Sequence, residues 1–274
     1  MANVLPIEKQ VVVVSALAEG NSIRGIERMT GINRNTIMNL GVRVGNACTK
    51  LMDEQMRELS CRNVEIDEMW GFIGKKQRNV VPQDTAFVGD VWTYVALDAD
   101  TKLVPVFEVG KRDWYHTQKF MSDLAQRVNT RIQITTDGMN QYLNVIQEEF
   151  GDGVDYGQIV KVMSGPQFTP ERKYSQPYVT AVKKKTVFGT PDEKTITTAH
   201  VEKQNLTLRT HCRRLTRLTN GFSKKVENFR AAVGLHFGYY NYVKIHSTIR
   251  CTPAMEAGIS NRLWTVKDLV ELAA

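Results

Sequence analysis

The stretch Arg62 to Phe72, RNVEIDEMWGF, places the tightest limits on the fold. Val64 and Ile66 alternate with Glu65 and Asp67, a period of two that predicts a strand ending near Gly71. With Met69 and Trp70 beside it, such a strand belongs in a core, yet it carries a carboxylate at Asp67. An ionised carboxylate is costly to bury unless a cation or hydrogen bonds offset the loss of water. Asp67 is therefore either a structural acid in an ion pair or one member of a metal-binding cluster, and the strand alone fits both.

The elements that follow supply possible partners. Gly89 to Leu97 and Leu103 to Val109 read as strands joined by the polar turn Asp98 to Lys102, which makes a three-strand antiparallel meander. Trp114 to Val128 is predicted helical, with Phe120, Leu124 and Val128 spaced by four. Ile132 to Thr136 is a short strand that ends at Asp137-Gly138, Gln141 to Phe150 is a helix, and Val154 to Met163 is a further strand. This order, β-β-β-α-β-α-β, predicts an α/β fold: a mixed sheet flanked by helices. If the fourth strand lies beside the first, Asp67 and Asp137 approach each other, and two adjacent carboxylates require a cation such as Mg²⁺. Taken alone, Asp137 reads equally well as a turn residue before Gly138.

Ser164 to Thr195 is rich in proline and glycine, with short strand-like pieces at Tyr178 to Val182 and Thr186 to Phe188 around Lys183-Lys184-Lys185. It reads as an insertion loop or small hairpin whose lysines are phosphate contacts or a solvated tip. From Thr198 the period becomes helical. Val201, Leu208, Cys212 and Leu215 form a buried stripe, and Glu202, Asn205, Arg209 and Arg213 form a separate one. The second stripe is either an ordinary charged surface or a metal ligand next to groups that hold a nucleic-acid backbone.

Residues 6 to 47 read as three short helices. Ile7, Val11, Val14 and Ala18 share a face, Gly20 ends the first helix, Ser22 caps the second, and Gly31 turns into a third capped by Asn33. This is either a plain three-helix unit or a helix-turn-helix, with Arg34, Asn35, Thr36, Asn39 and Arg43 available to a major groove. Residues 48 to 60 continue as a polar helix or linker. The net charge of +7 suits a polyanionic partner or a solvated basic surface. The excess is concentrated between His200 and Arg250, where Arg213, Arg214, Arg217, Lys224 and Lys225 precede a long helix with Val226, Phe229, Val233, Phe237 and Tyr240 on its core side. Four cysteines without C-x-x-C or zinc-finger spacing read as reduced thiols, and the apolar run Val11 to Val14 is too short to span a bilayer. A cytoplasmic, nucleoid-associated protein is the expectation.

Together, IDEMWGF, GKRDWYHT (110–117), TTDG (135–138), DYGQIVK (155–161), HVEKQNLTLR (200–209), RLTRLTNGFSKK (214–225) and YYNYVKIHSTIRCTPAMEAG (239–258) resemble the transposases of the insertion-sequence-one family. That resemblance implies a ribonuclease-H-like catalytic domain with a triad of two aspartates and a glutamate, here Asp67, Asp137 and Glu202, preceded by an all-α helix-turn-helix. It implies two Mg²⁺ ions, with Mn²⁺ able to substitute, cleavage at transposon ends, and joining of 3′-hydroxyl ends to target DNA. The implied partners are terminal inverted repeats, target DNA and further copies of the chain on DNA, with no membrane. Asn205, Arg209 and Arg213 would position the backbone, and residues 22 to 47 would recognise the ends. The expected organisation is 1–60 for the DNA-binding region and linker, 61–220 for the catalytic domain with an insertion at 164–196, and 221–274 for a basic helical region. Longer members carry a cysteine-rich zinc-binding module before the helix-turn-helix. Here no cysteine precedes Cys48, so recognition of the ends is expected to be incomplete or completed in a longer, frameshifted product. A non-catalytic DNA-binding regulator and a repair or junction nuclease are the competing classes.

Overall fold

A computed structural model describes residues 5–164 and 178–274. Its centre is a mixed sheet built from β1 (Asn63–Ile73), β2 (Gly89–Asp98), β3 (Val106–Gly110), β4 (Ile132–Thr136), β5 (Val154–Ser164) and β6 (Tyr178–Phe188). The spatial order is β3-β2-β1-β4-β5-β6. β1, β2 and β3 form the expected antiparallel meander. β4 lies parallel to β1, with Glu65 opposite Thr135, and β5 lies parallel to β4. Each parallel step is made through a helix, α4 (Trp114–Ala125) before β4 and α5 (Gln141–Phe150) before β5.

Three expectations need correction. The third strand begins at Val106 rather than Leu103, because the buried Asn241 side chain takes both backbone groups of Val104: its Oδ1 accepts from Val104 N at 3.1 Å and its Nδ2 donates to Val104 O at 3.0 Å. The helix expected to reach Val128 stops at Ala125, and Val128 pairs instead with Leu59. Tyr178 to Phe188 is one continuous strand paired antiparallel with β5, not two short pieces, so Lys183-Lys184-Lys185 sits within a strand rather than at a tip. Its run of Val179, Thr180, Val182, Thr186 and Val187 suits a pleated edge. The beginning of the expected insertion, residues 165–177, lies outside the described residues.

The chain begins with α1 (Ile7–Ala18), α2 (Ile23–Thr30) and α3 (Arg34–Gln55). Ser22 Oγ accepts from Gly25 N, Gly31 takes the left-handed conformation at φ 70°, and Asn33 accepts from Asn35 N, as the cap residues predict. The stretch read as a polar helix or linker belongs largely to α3, a single helix of 22 residues. No glycine ends it. The buried Arg127 guanidinium instead donates to the carbonyls of Met52 and Met56 while pairing with Asp53 and Asp123.

The remaining helices are α6 (Ala199–His211), α7 (Val226–Tyr242), α8 (Pro253–Glu256) and α9 (Val266–Glu271). All five apolar positions assigned to the inner side of α7 are buried, and so are Leu235, His236, Asn241 and Tyr242, because α7 lies between the sheet and α3. The crossing of α3 and α7 is made by glycines. A Cβ at Gly45 would stand 1.9 Å from the Ala231 carbonyl oxygen, and one at Gly234 would stand 2.6 Å from the Gly45 carbonyl oxygen. A core of Val13, Val14, Ile26, Ile37, Leu40, Val44 and Cys48 therefore closes over Leu235, Leu269 and Val270, so the first and last segments of the chain share one interior. Among the described residues, no helix is long and apolar enough to cross a membrane, and all four cysteines are free.

Candidate active site

Asp67 lies on β1 just past the point where β1 and β4 pair, and Asp137 directly follows the last residue of β4. Parallel alignment of the two strands thus converts a long separation in sequence into adjacency. Asp137 Oδ1 accepts from Met139 N at 3.0 Å, which fixes the turn leaving the strand. Both acids line a cleft of about 890 Å³ together with Glu202, Arg112, Gly138 and Lys161. Oxygens of Asp67, Asp137 and one further acid, Glu68, all lie within 4.8 Å of one another. Glu202 stands on the wall of the same cleft, where its carboxylate accepts from Thr198 Oγ1 at 2.6 Å and pairs with the Lys161 ammonium.

The electrostatics follow from burial. Desolvation pushes the Asp67 carboxyl up to about 6, against the Asn205 side chain, whose Nδ2 donates to Asp67 Oδ2 at 2.8 Å; Asp137 and Glu202 raise it further. Glu68 is pushed up to about 7, chiefly by desolvation, although Tyr142 donates to Oε1 and Arg112 donates to Oε2 at 3.1 Å. The Arg112 guanidinium also lies 4.7 Å from the Trp92 ring centroid. Carboxyls raised by burial favour the folded state most at low pH, where both states are protonated. That contribution is lost as pH rises from about 4 through 6 and 7. In metal-free protein, Tm is therefore expected to fall across that window on account of these two acids, and added Mg²⁺ should raise Tm more at pH 8 than at pH 5. An equal shift at both would contradict it.

The donor set fits a hard divalent cation: clustered carboxylate oxygens, partly desolvated. Asp67, Asp137 and Glu68 are the residues whose oxygens lie close enough together to hold it; Glu202, expected as the third ligand, lines the same cleft but lies outside that group.

Of the other residues singled out in the sequence, Asn205 is buried against Asp67 and its Oδ1 has no partner among the described residues. Arg209 is half-buried, its Nη1 has no partner among the described residues, and its pKa is lowered first by burial, then by Arg217, with Asp67 acting in opposition. Arg213 is not on α6, contrary to the expected stripe, because the helix ends at His211 and Arg213 opens a separate 3₁₀ turn with Arg214. Arg34, Asn35, Thr36 and Asn39 are exposed at the start of α3, whereas Arg43 donates to Gln10 Oε1 at 2.7 Å. Arg217, Lys224 and Lys225 are exposed on the connection to α7.

Sequence reasoning missed three contributors. Glu68 and Arg112 were visible only as the second acid of IDEM and as part of GKRDWYHT. Glu65 was read as mere alternation, yet it is almost fully buried and takes over the capping of α6. Its Oε2 accepts from His200 N at 2.8 Å and Val201 N at 3.0 Å, and its Oε1 meets His200 Nδ1 at 2.7 Å. Thr198, at the N-cap position, makes no capping bond and donates to Glu202 instead. β1 therefore fixes through Glu65 the helix that carries Glu202. Glu65→Ala should cost about 1–3 kcal/mol and depress any activity that needs Glu202, while Glu65→Gln, which keeps an acceptor for both amides, should restore most of both; equal loss in the two variants would contradict this assignment.

No family model matches the chain, and no curated protein does. Among solved structures it is similar to a piggyBac transposase synaptic complex with hairpin DNA, at 12% identity over 97% of this chain and 69% of that one, with a TM-score of 0.42. It is also similar to a Mos1 transposase paired-end complex with the left transposon end, at 13% identity and a TM-score of 0.24. A Mos1 mariner paired-end complex with Mn matches at 14% identity and a TM-score of 0.21. The alignments cover 55% of this chain in both Mos1 cases and span 58% of the Mos1 chain.

Proposed function

We propose that this chain is a DNA transposase with a ribonuclease-H-like catalytic domain, of the insertion-sequence-one kind. In this reading it cuts at element ends and joins 3′-hydroxyl ends to target DNA by Mg²⁺-dependent phosphoryl transfer, with Mn²⁺ as a substitute. The observation that carries the proposal is the convergence of Asp67 and Asp137 from adjacent parallel strands into an open cleft that Glu202 also lines. Divalent cations bound there would activate the attacking water or 3′-hydroxyl and stabilise the leaving oxygen.

The chain's own residues hold the carboxylates and the DNA. Asn205 orients Asp67, Glu65 fixes α6, and the Lys161 ammonium pairs with Glu202. Arg112 and Arg209 border the acids, ready to hold non-bridging phosphate oxygens. Residues 22 to 47 act as a helix-turn-helix that presents Arg34, Asn35, Thr36 and Asn39 to the terminal repeats, with Arg43 braced on α1. Arg213, Arg214, Arg217, Lys224 and Lys225 add backbone contacts, and the protein works as a homo-oligomer on DNA.

The test is incubation of purified protein with labelled element ends, Mg²⁺ and a plasmid target. Joined product that disappears with chelator supports a transposase. Cutting without joining would make it a nuclease, and binding without either would make it a regulator.

A further inference from the structure

The stripe of α6 opposite the acids faces a second pocket, of about 440 Å³, which shares no lining residue with the catalytic cleft. Positions 200, 203 and 207 fall on one side of the helix, whereas 202, 205 and 209 fall on the other. The pocket gathers His200 and Lys203 from α6, Lys102 from the turn after β2, and Lys244 and His246 from the loop after α7. Among the described residues the ion-paired lysines are Lys50, Lys75, Lys119, Lys161 and Lys267; Lys102, Lys203 and Lys244 are not among them. The His246 imidazole is pushed down by burial and then by Lys102, Lys203, Lys244 and His200, so the charges that act on it most strongly are cationic. Among the described residues Glu65 pairs with His200, and Glu19 pairs with His211, the imidazole beside Lys244.

The arrangement is built rather than incidental. Tyr240 Oη donates to the Lys102 carbonyl at 2.9 Å, and Lys102 itself is held in the left-handed region at φ 64°. Lys244 Nζ lies 3.3 Å from His211 Nε2, and Thr248 N donates to His246 Nδ1 at 3.3 Å. Thr207, Ser247 and Thr248 add hydroxyls to the wall. Lys102, whose ammonium also donates to the Ala99 carbonyl, Lys203 and Lys244 line one pocket and all act on His246, and a compact polyanion there would relieve the repulsion among these like charges.

We propose that this pocket is a second phosphate site, gripping the DNA backbone a few nucleotides from the phosphodiester held over Asp67 and Asp137. A helix is about 10–12 Å across with its side chains, or about three base-pair steps of ~3.4 Å. A strand crossing α6 therefore engages both faces. The proposal rests on the transposase reading for the path of the strand, not for the anion.

The test measures binding of a labelled duplex against salt for wild type and for Lys203→Gln/Lys244→Gln, with thermal melting as the check that both are folded. The double variant should lose about tenfold in affinity near physiological salt, and the slope of log affinity on log salt should become shallower by about two. A folded double variant with unchanged affinity and slope overturns the proposal, even if wild type joins DNA. If wild type joins nothing but the slope still changes, the phosphate site stands and the transposase reading falls. An arm with inorganic phosphate separates the sources: if the two lysines affect phosphate binding but not duplex binding, the DNA assignment is overturned.

Discussion

Asp67→Asn is expected to abolish strand joining, by about a thousandfold or more, while DNA affinity stays within about twofold. The loss corresponds to ~4 kcal/mol of transition-state stabilisation at about 1.36 kcal/mol per decade, the scale of Lewis-acid help at a phosphoryl oxygen. The substitution removes a proposed cation ligand but keeps an oxygen that can accept from Asn205 Nδ2, so the fold persists. It also removes a carboxyl whose ionisation is opposed by burial, and the variant should therefore melt higher than wild type in metal-free buffer at pH 8. More stable and inactive is the signature of an acid kept for chemistry. Asp137→Asn should act the same way on joining and should lower the Asp67 pKa, because Asp137 contributes to its rise.

Gly45→Ala is expected to be the most damaging conservative substitution in the chain. The added carbon would fall 1.9 Å from a backbone oxygen of Ala231, which cannot rotate away as a side chain would. α3 and α7 must separate, opening the core that joins the first and last segments. A cost of about 3 kcal/mol, at the upper end for overpacking, translates to a fall in Tm of roughly 6–12 °C. Thermal melting checks it: a Tm within about 2 °C of wild type would mean that the crossing is looser than the packing indicates.

Much of this organisation was legible in the sequence because the relevant signals are local. Alternation in β1, the caps at Ser22 and Asn33, the left-handed Gly31 and the inner side of α7 each follow from a few neighbouring residues. The adjacency of Asp67 and Asp137 followed from element order, since a fourth strand beside the first brings the two acids together. What escaped depends on contacts between distant segments. Glu65 was an unremarked polar position until α6 docked on β1 and gave it two amides to cap. Glu68 faces Tyr142, far along the chain, and the pattern of the strand alone contains no trace of that partner. The start of β3 gave way to Asn241, and the end of α6 to a 3₁₀ turn, both set by packing rather than by propensity. The α3–α7 contact was hidden for a similar reason: glycines inside helices read as weak positions, and only the crossing reveals them as the places where two backbones meet.

Mn²⁺ binding followed by electron paramagnetic resonance tests whether Asp67 and Asp137 grip divalent cations, without any knowledge of the DNA sequence recognised. Wild-type protein should sequester Mn²⁺ in a form competed by Mg²⁺, and Asp67→Asn/Asp137→Asn should weaken that binding by at least about tenfold, the loss expected when two of the oxygen ligands no longer carry charge. Equal Mn²⁺ affinity in the wild type and the double variant would show that these two carboxylates do not hold the ion.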